Sequence, residues 1–295
     1  MSHAVRTPRS SLALLVAGAT IISFSPVFVK IAAVGPTTAG FYRTLFGGLA
    51  VLAVAMARGE PLWAGKRPFA LAAACGLLFA VDLSLWHRAI HYIGPGLATI
   101  AGNFQVIFLA AFGIAVLREK AEWRYLLSIP LAIAGLYLLV GIGWSSHDSD
   151  FKRGVVYGVS TALAYASFIL ILQSSQRQSR RLGAMANLGV ISFVTSAAMG
   201  IEAVMQGESF AIPDAKTWSA LLSYGILCQA AAWIVISRAL TRIEASRAGL
   251  ILLLQPTLAF VWDVVFFSRP TRPTDLLGAL LAVAAIYLGG SRKRK

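Results

Sequence analysis

Charged side chains are scarce: Asp, Glu, Lys and Arg make up 13% of the 295 residues, against about 25% in an ordinary soluble domain. Such a chain cannot clothe a globule of this size in polar surface. Acidic residues are the rarer kind, 12 against 26 lysines and arginines, for a formal net charge of +14. There are only two cysteines, Cys75 and Cys228, each inside an apolar run; buried thiols are expected, not a disulfide. Long polar connections are missing, so no soluble domain fits between the apolar runs. The chain has no HExxH, GxSxG or Walker sequence, which leaves an intramembrane enzyme without support and implies no bound metal or cofactor. The alternating segments of about ten residues that build an outer-membrane barrel are absent as well.

What fills the chain is apolar. Hydrophobic residues make up 58% and the mean hydropathy is +0.74. A helix needs about 20 apolar residues to cross the hydrocarbon. Ten such spans are expected, at 11–33, 37–57, 69–90, 95–117, 123–142, 154–173, 183–206, 216–239, 246–267 and 273–290. The first begins like a signal peptide, but its apolar run continues through Val34 and it is read as a span. The fold class is therefore an all-α polytopic membrane protein.

The basic residues sit in tufts between spans, the pattern of loop charge and not of a nucleic-acid face. With a cytoplasmic N-terminus, 18 of the 26 lysines and arginines fall on the cytoplasmic side and seven on the other. Both termini are thus expected in the cytoplasm of a bacterial-type cell, with the chain in its inner membrane. The basic tail Arg292 to Lys295 would rest near anionic lipid.

One stretch occurs twice, 150 positions apart. Ala98 to Leu138 aligns without a gap on Ala248 to Leu288. Gln105 then meets Gln255, Tyr137 meets Tyr287, and upstream Arg88-Ala89 meets Arg238-Ala239. This duplication divides the chain into halves at 1–150 and 151–295, each of five spans. A unit with an odd number of crossings re-enters the membrane in the opposite sense, so the halves are expected as inverted repeats with a substrate site between them. Ser128 and Ala132 align with Gly278 and Ala282, small residues that let the fifth and tenth spans pack closely.

The two five-span halves, the fourth-span motif LLLQPTLAF and the fifth-span motif LLGALLAVAAIYL resemble the EamA-type branch of the drug/metabolite transporter superfamily. The first copy departs from that pattern, with Val106 where the second has Pro256. Overall the chain is most similar to the bacterial aromatic amino-acid exporters. The resemblance implies an exporter of aromatic and other apolar amino acids working by alternating access, without nucleotide or cofactor. Its expected partners are the small-molecule substrate and the lipid bilayer, with no nucleic acid, and the chain is expected to act as a monomer. A multidrug or other small-metabolite exporter is the alternative, followed by a passive channel.

Charges inside spans are expensive and mark partners or cavities. Arg43, Asp82 and Asp263 qualify, each placed about 6–12 Å beneath the outer surface by counting residues from the span ends, and are expected to form one ion-pair latch. No carboxylate is then expected at the midplane, which points to facilitated diffusion, with proton antiport through Asp82 or Asp263 as the alternative. Asn103 and Thr99 share a helical face and are the expected polar contacts to substrate. At 100° per residue Gln105 should point away from Asn103; it and Gln255 are expected to tie the fourth and ninth spans together, while Pro256 kinks the ninth near Leu252. Mid-span Tyr42, Phe79, Tyr165 and Trp233 are the expected aromatic lining. His87 and His91 stand four apart but without acidic or cysteine ligands, and a wetted span end is expected for them.

Overall fold

The computed structural model describes residues 9–116, 123–141, 144–178, 183–240 and 254–290. The tail from Arg292, the connection Arg242 to Glu244 and the first part of the ninth expected span lie outside these residues. Every described element is helical. Six helices are long and apolar enough to cross a membrane: Leu12–Ile31, Pro36–Ala57, Lys66–Ile93, Ser149–Leu172, Met185–Met205 and Ala215–Ile236. Four shorter apolar helices, within Pro95–Leu109, Leu126–Leu139, Leu254–Phe267 and Pro273–Leu288, occupy the remaining expected spans.

In chain order the helices are α1 (Arg9–Ser23), α2 (Ser25–Ile31), α3 (Pro36–Ala57), α4 (Lys66–Ile93), α5 (Pro95–Gly102) and α6 (Gln105–Ala115). Then come α7 (Trp123–Leu136), which ends in a π-helical turn Tyr137–Gly141, α8 (Ser149–Gln178) and α9 (Ala184–Met205). The eighth span is α10 (Ala215–Ser223), a π-helical segment Tyr224–Ala231 and α11 (Ala232–Leu240). The chain closes with α12 (Leu254–Phe267) and α13 (Pro273–Gly290).

The halves are inverted, and the contacts between equivalent helices show it. α3 and α9 hold the same place in their halves and lie along each other. Thr37 at the start of α3 touches Gln206 and Glu208 beyond the end of α9, whereas Val51 and Ala55 near the end of α3 pack on Met185 and Ala186 near the start of α9. The two helices are antiparallel. The fifth pair behaves alike: a side chain on Gly135 of α7 would strike Ala282 and Gly278, and one on Gly278 would strike Leu138 and Leu139. Small residues at this crossing let α7 and α13 meet almost backbone to backbone. The remaining pairs exchange in the same way, with α4 on α8 matched by α1 on α11, and α4 on α9 matched by α3 on the π segment.

The α3–α9 pair carries a reciprocal cap. α3 ends with Gly59 at φ +64°, and α9 with Gly207 at φ +67°, the left-handed residue of a helix-closing turn that glycine adopts without strain. In each case the next residue's amide returns to the carbonyl five back, Glu60 to Ala55 and Glu208 to Ala203. That turn aims the glutamate at the start of the other helix. Glu60 Oε2 accepts from the amides of Met185 and Ala186 at 3.0 and 3.2 Å. Glu208 accepts from those of Thr37 and Thr38 at 3.3 and 2.8 Å. A carboxylate on these free amides satisfies orphan donors and the positive end of the helix dipole.

Two spans are interrupted beside the centre. Between α1 and α2 the chain breaks at Phe24, with Pro26 in the first turn of α2; proline has no amide to offer the preceding turn. Between α5 and α6 the break falls at Asn103-Phe104, where the Asn103 side-chain amide donates to the Thr99 carbonyl at 2.8 Å. The backbone amides of Phe104 and Ile107 reach back only three residues. A side chain competing for a main-chain acceptor tightens and ends the helix there.

Candidate functional site

A cavity of about 130 Å³ opens where these interruptions face α4, α8 and α11. Ser23, Ser25 and Pro26 form one wall, Thr99, Asn103 and Gln105 another, and Thr161 and Tyr165 of α8 a third. Arg43, Phe79, Asp82 and Trp86 close its floor, with Trp233 and Gln255 from the second half. The α7–α13 pair contributes nothing to the lining.

Arg43 is 5% exposed and spends its donors locally. Its Nε donates to Gln229 Oε1 at 2.8 Å and an NH1 proton to Tyr224 Oη at 2.7 Å. Both acceptors come from the π segment, whose wider turn brings residues five apart onto one face. The guanidinium carbon also lies 4.7 Å from the Tyr224 ring centre and 5.5 Å from that of Phe79, a cation–π setting that offsets part of its desolvation. Tyr224 contacts His87 Nε2 at 3.0 Å, and His87 Nδ1 lies against the Leu83 carbonyl. A carbonyl only accepts, so Nδ1 carries the ring proton and Tyr224 donates to Nε2. Hydrogen bonds therefore run in one direction from Arg43 through Tyr224 to His87. His87 is fully buried, not at a wetted span end: helix α4 continues to Ile93 and carries it inward.

Asp82 differs from Arg43. It is 5% exposed, it lines the cavity, and its Oδ1 has no hydrogen-bond partner. It lies eleven residues before the end of the 28-residue helix α4, about 16 Å along the axis and near the helix midpoint. The residue is farther from the helix end than the sequence count placed it, because α4 runs on to Ile93, past the apolar run from which the count was made. Ser25 Oγ, Gln105 Oε1 and Thr161 Oγ1 also line the cavity and are also buried without partners. Among the described residues only Arg269 Nε joins these four as a buried, unpartnered side-chain polar atom.

The expected three-residue latch does not assemble. Asp263 of α12 accepts from the Gly96 amide at 3.0 Å and from Arg269 NH1 at 3.2 Å. Arg269 also donates to the Ile93 carbonyl at 2.9 Å. Asp263 thus caps α5, at a corner where Gly94 takes φ +83° to turn the chain directly from α4 into α5. Proximity in depth does not bring it to Arg43, because another helix end and another arginine lie closer.

Asn103, Thr99, Phe79, Tyr165 and Trp233 all line the cavity, whereas Tyr42 does not. Its hydroxyl donates to the Phe210 carbonyl at 2.7 Å and its ring stacks on Phe46, because α3 turns that face toward the 208–212 connection. Gln105 shares the cavity with Asn103 although helical counting separates them; the break at 103–104 resets the angle between them. Gln105 Oε1 has no partner, and Gln255 lines the cavity as well. Pro256 is buried in the first turn of α12 as described; the kink expected near Leu252 lies outside the described residues.

Residue counting passed over Glu202. It accepts from Arg88 and Ser84 at 2.8 Å each, and Arg88 also reaches Thr37 and Ser84. Its signal was available: a glutamate inside the expected span 183–206, opposite in charge to Arg88. Glu60 and Glu208 were also legible, as Gly-Glu directly after the second span of each half.

The EamA-like transporter model matches the chain twice, over residues 9–141 and 152–289. The chain belongs to the EamA-like transporter family. An uncharacterized transporter of Archaeoglobus fulgidus is 22% identical over 96% of this chain and 97% of its own length. The uncharacterized transporter YwfM of Bacillus subtilis is 26% identical over 88% and 86%, and YvbV of the same organism 24% over 85% and 81%. A solved crystal structure superposes with a TM-score of 0.66 at 16% identity, covering 95% of this chain and 98% of that one; the likeness is one of fold. The cavity of this EamA-like transporter is lined by residues of both halves.

Proposed function

We propose that this transporter exports amino acids, those with apolar and aromatic side chains foremost, by alternating access in the inner membrane of a bacterial-type cell with both termini cytoplasmic. The observation that carries this reading is the clustering of four unpartnered polar atoms, of Ser25, Asp82, Gln105 and Thr161, around one cavity. Buried polar groups otherwise find partners, so a set of this kind calls for a polar molecule. Acceptors prevail among them, which suits an ammonium group with its three donors. Arg43 supplies positive charge for a carboxylate, and Phe79, Trp86, Tyr165 and Trp233 supply rings for an apolar side chain.

The test is counterflow in proteoliposomes of the purified protein with a panel of labelled amino acids. Saturable exchange, strongest for phenylalanine, tryptophan and leucine, is expected; its absence across the panel defeats the reading. A cationic aromatic drug is the second reading, favoured by Asp82 standing among those rings. It predicts exchange of such cations with no competition from amino acids. A passive channel predicts flux without saturation or counterflow.

A further inference from the structure

Gly102 is the only glycine that lines the central cavity among the described residues. It ends α5 in ordinary helical backbone, without the positive φ that calls for glycine. Glycine is a poor helix former, so the position has another reason to lack a side chain. Close crossing of helices is not that reason. At Gly96, Gly135 and Gly278 an added Cβ would fall 2.7, 2.7 and 3.0 Å from main-chain atoms of Phe260, Ala282 and Gly135. At Gly102 it would meet, among the described residues of other helices, only two side-chain carbons within 4 Å: Thr161 Cγ2 at 3.1 Å and Trp86 Cδ1 at 3.8 Å. Both of those residues line the cavity too. In the duplicated register Gly102 meets Leu252, so one half of the chain carries a large side chain where the other carries a hydrogen.

The space left by that hydrogen is a notch with apolar walls, the Thr161 methyl on one side and the indole edge of Trp86 on the other. Both walls are held in place. Thr161 is buried on α8. The Trp86 ring has the Arg43 guanidinium carbon 5.9 Å from its centre and the His87 ring 5.5 Å away. The whole cavity holds about 130 Å³, near the roughly 150 Å³ that accepts one benzene ring, so a single methyl placed in the notch changes what fits. We infer that Gly102 sets the largest substrate side chain this transporter accepts, the notch between Trp86 and Thr161 taking the far end of a ring. The inference deepens the amino-acid reading and rests on it for the identity of the substrate. Arg43 and Asp82 serve the charged end of that substrate, and the notch sorts what the charged end carries.

Counterflow by the full-length protein in proteoliposomes tests this with a size series of alanine, valine, leucine, phenylalanine and tryptophan, each kcat/KM read as a ratio to that of valine. Gly102→Ala is expected to lower the tryptophan ratio at least tenfold, since one methylene of misfit in an apolar pocket discriminates roughly 10- to 200-fold. Phenylalanine is expected to fall less and leucine least. Thr161→Ser removes the facing methyl and keeps the hydroxyl; it is expected to raise the tryptophan ratio, and to restore it in the Gly102→Ala background. That rescue separates a steric wall from a general injury to α5. All five substrates falling together in Gly102→Ala, or no rescue by Thr161→Ser, overturns the inference and leaves the amino-acid reading standing. Where Gly102→Ala yields no folded protein, Thr161→Ser alone decides, and a tryptophan ratio that does not rise overturns the inference. Absence of counterflow with every amino acid in the wild type sinks the amino-acid reading instead. The size series is then run with trimethylammonium ions bearing an ethyl, benzyl or naphthylmethyl group. A ratio of largest to smallest that falls in Gly102→Ala upholds the notch, and an unchanged ratio overturns it. Exchange of neither series by the wild type overturns both.

Discussion

Asp82 and Asp263 are both buried aspartates on apolar helices, with 5% and 3% exposure, yet their surroundings share almost nothing. Asp263 sits at a crowded corner where a helix start and an arginine occupy its oxygens. Asp82 faces a cavity and keeps an oxygen unpaired. What separates architecture from chemistry here is whether the surrounding protein already satisfies the carboxylate, and burial alone does not tell the two apart. The satisfied one holds α12 to α5; the unsatisfied one is left for something that comes and goes.

The contrast breaks if the two aspartates respond alike to neutralisation. Asp263→Asn leaves Arg269 poorly paired, and breaking a buried pair costs about 3 kcal/mol or more. A clear fall in unfolding temperature in detergent is expected, and a wild-type melting curve would remove Asp263 from its structural role. Asp82→Asn replaces a buried carboxyl that keeps an unpaired oxygen with a neutral amide, so its melting temperature should stay level or rise while exchange weakens roughly tenfold. Next in size is Tyr224→Phe, which strips an acceptor from Arg43 and a donor from His87 at a cost of about 2 kcal/mol. Thermal unfolding checks it, and a neutral result would mean that the chain from Arg43 to His87 does not stabilise the site.

Smaller effects sharpen the comparison between the two halves. Glu60→Gln and Glu208→Gln should each cost about 1 kcal/mol, since each removes a charged cap from a helix start. Equivalent losses are the mark of a symmetric device, and a loss confined to one side would show that the symmetry is only geometric. The smallest effect belongs to Asp214, an exposed cap whose carboxyl is held below the usual carboxylate value by hydrogen bonds from Thr217. A depressed value means a contribution present above the ordinary carboxylate pKa and lost as the pH falls through the lowered one. Asp214→Asn should therefore flatten the acid limb of stability against pH, and an unchanged limb would discount the cap.

Much of the architecture was legible in the residues. The apolar runs located the helices, since a backbone in hydrocarbon must satisfy itself within each span. The constant offset between Gln105 and Gln255, and between Tyr137 and Tyr287, revealed the duplication, and an odd number of spans per half required inversion. The small residues Ser128, Ala132, Gly278 and Ala282 anticipated the close meeting of α7 and α13. The cavity was less legible for a physical reason. Helical counting assumes an unbroken 3.6-residue turn, and the lining is built where that assumption fails: at Phe24, at Asn103-Phe104 and in the π segment that carries Tyr224 and Gln229.

By itself the sequence determined that this chain is a helical membrane protein of two related halves, because composition, run length and repetition are properties of the chain alone. Only the tertiary structure decided which buried charges are satisfied. Glu208 finds the start of α3 and Arg43 finds Gln229 across separations of 171 and 186 residues. Asp82, with as many helices around it, is left with an oxygen free. Partnership of that kind depends on what folding brings within about 3 Å, and no spacing along the chain encodes it.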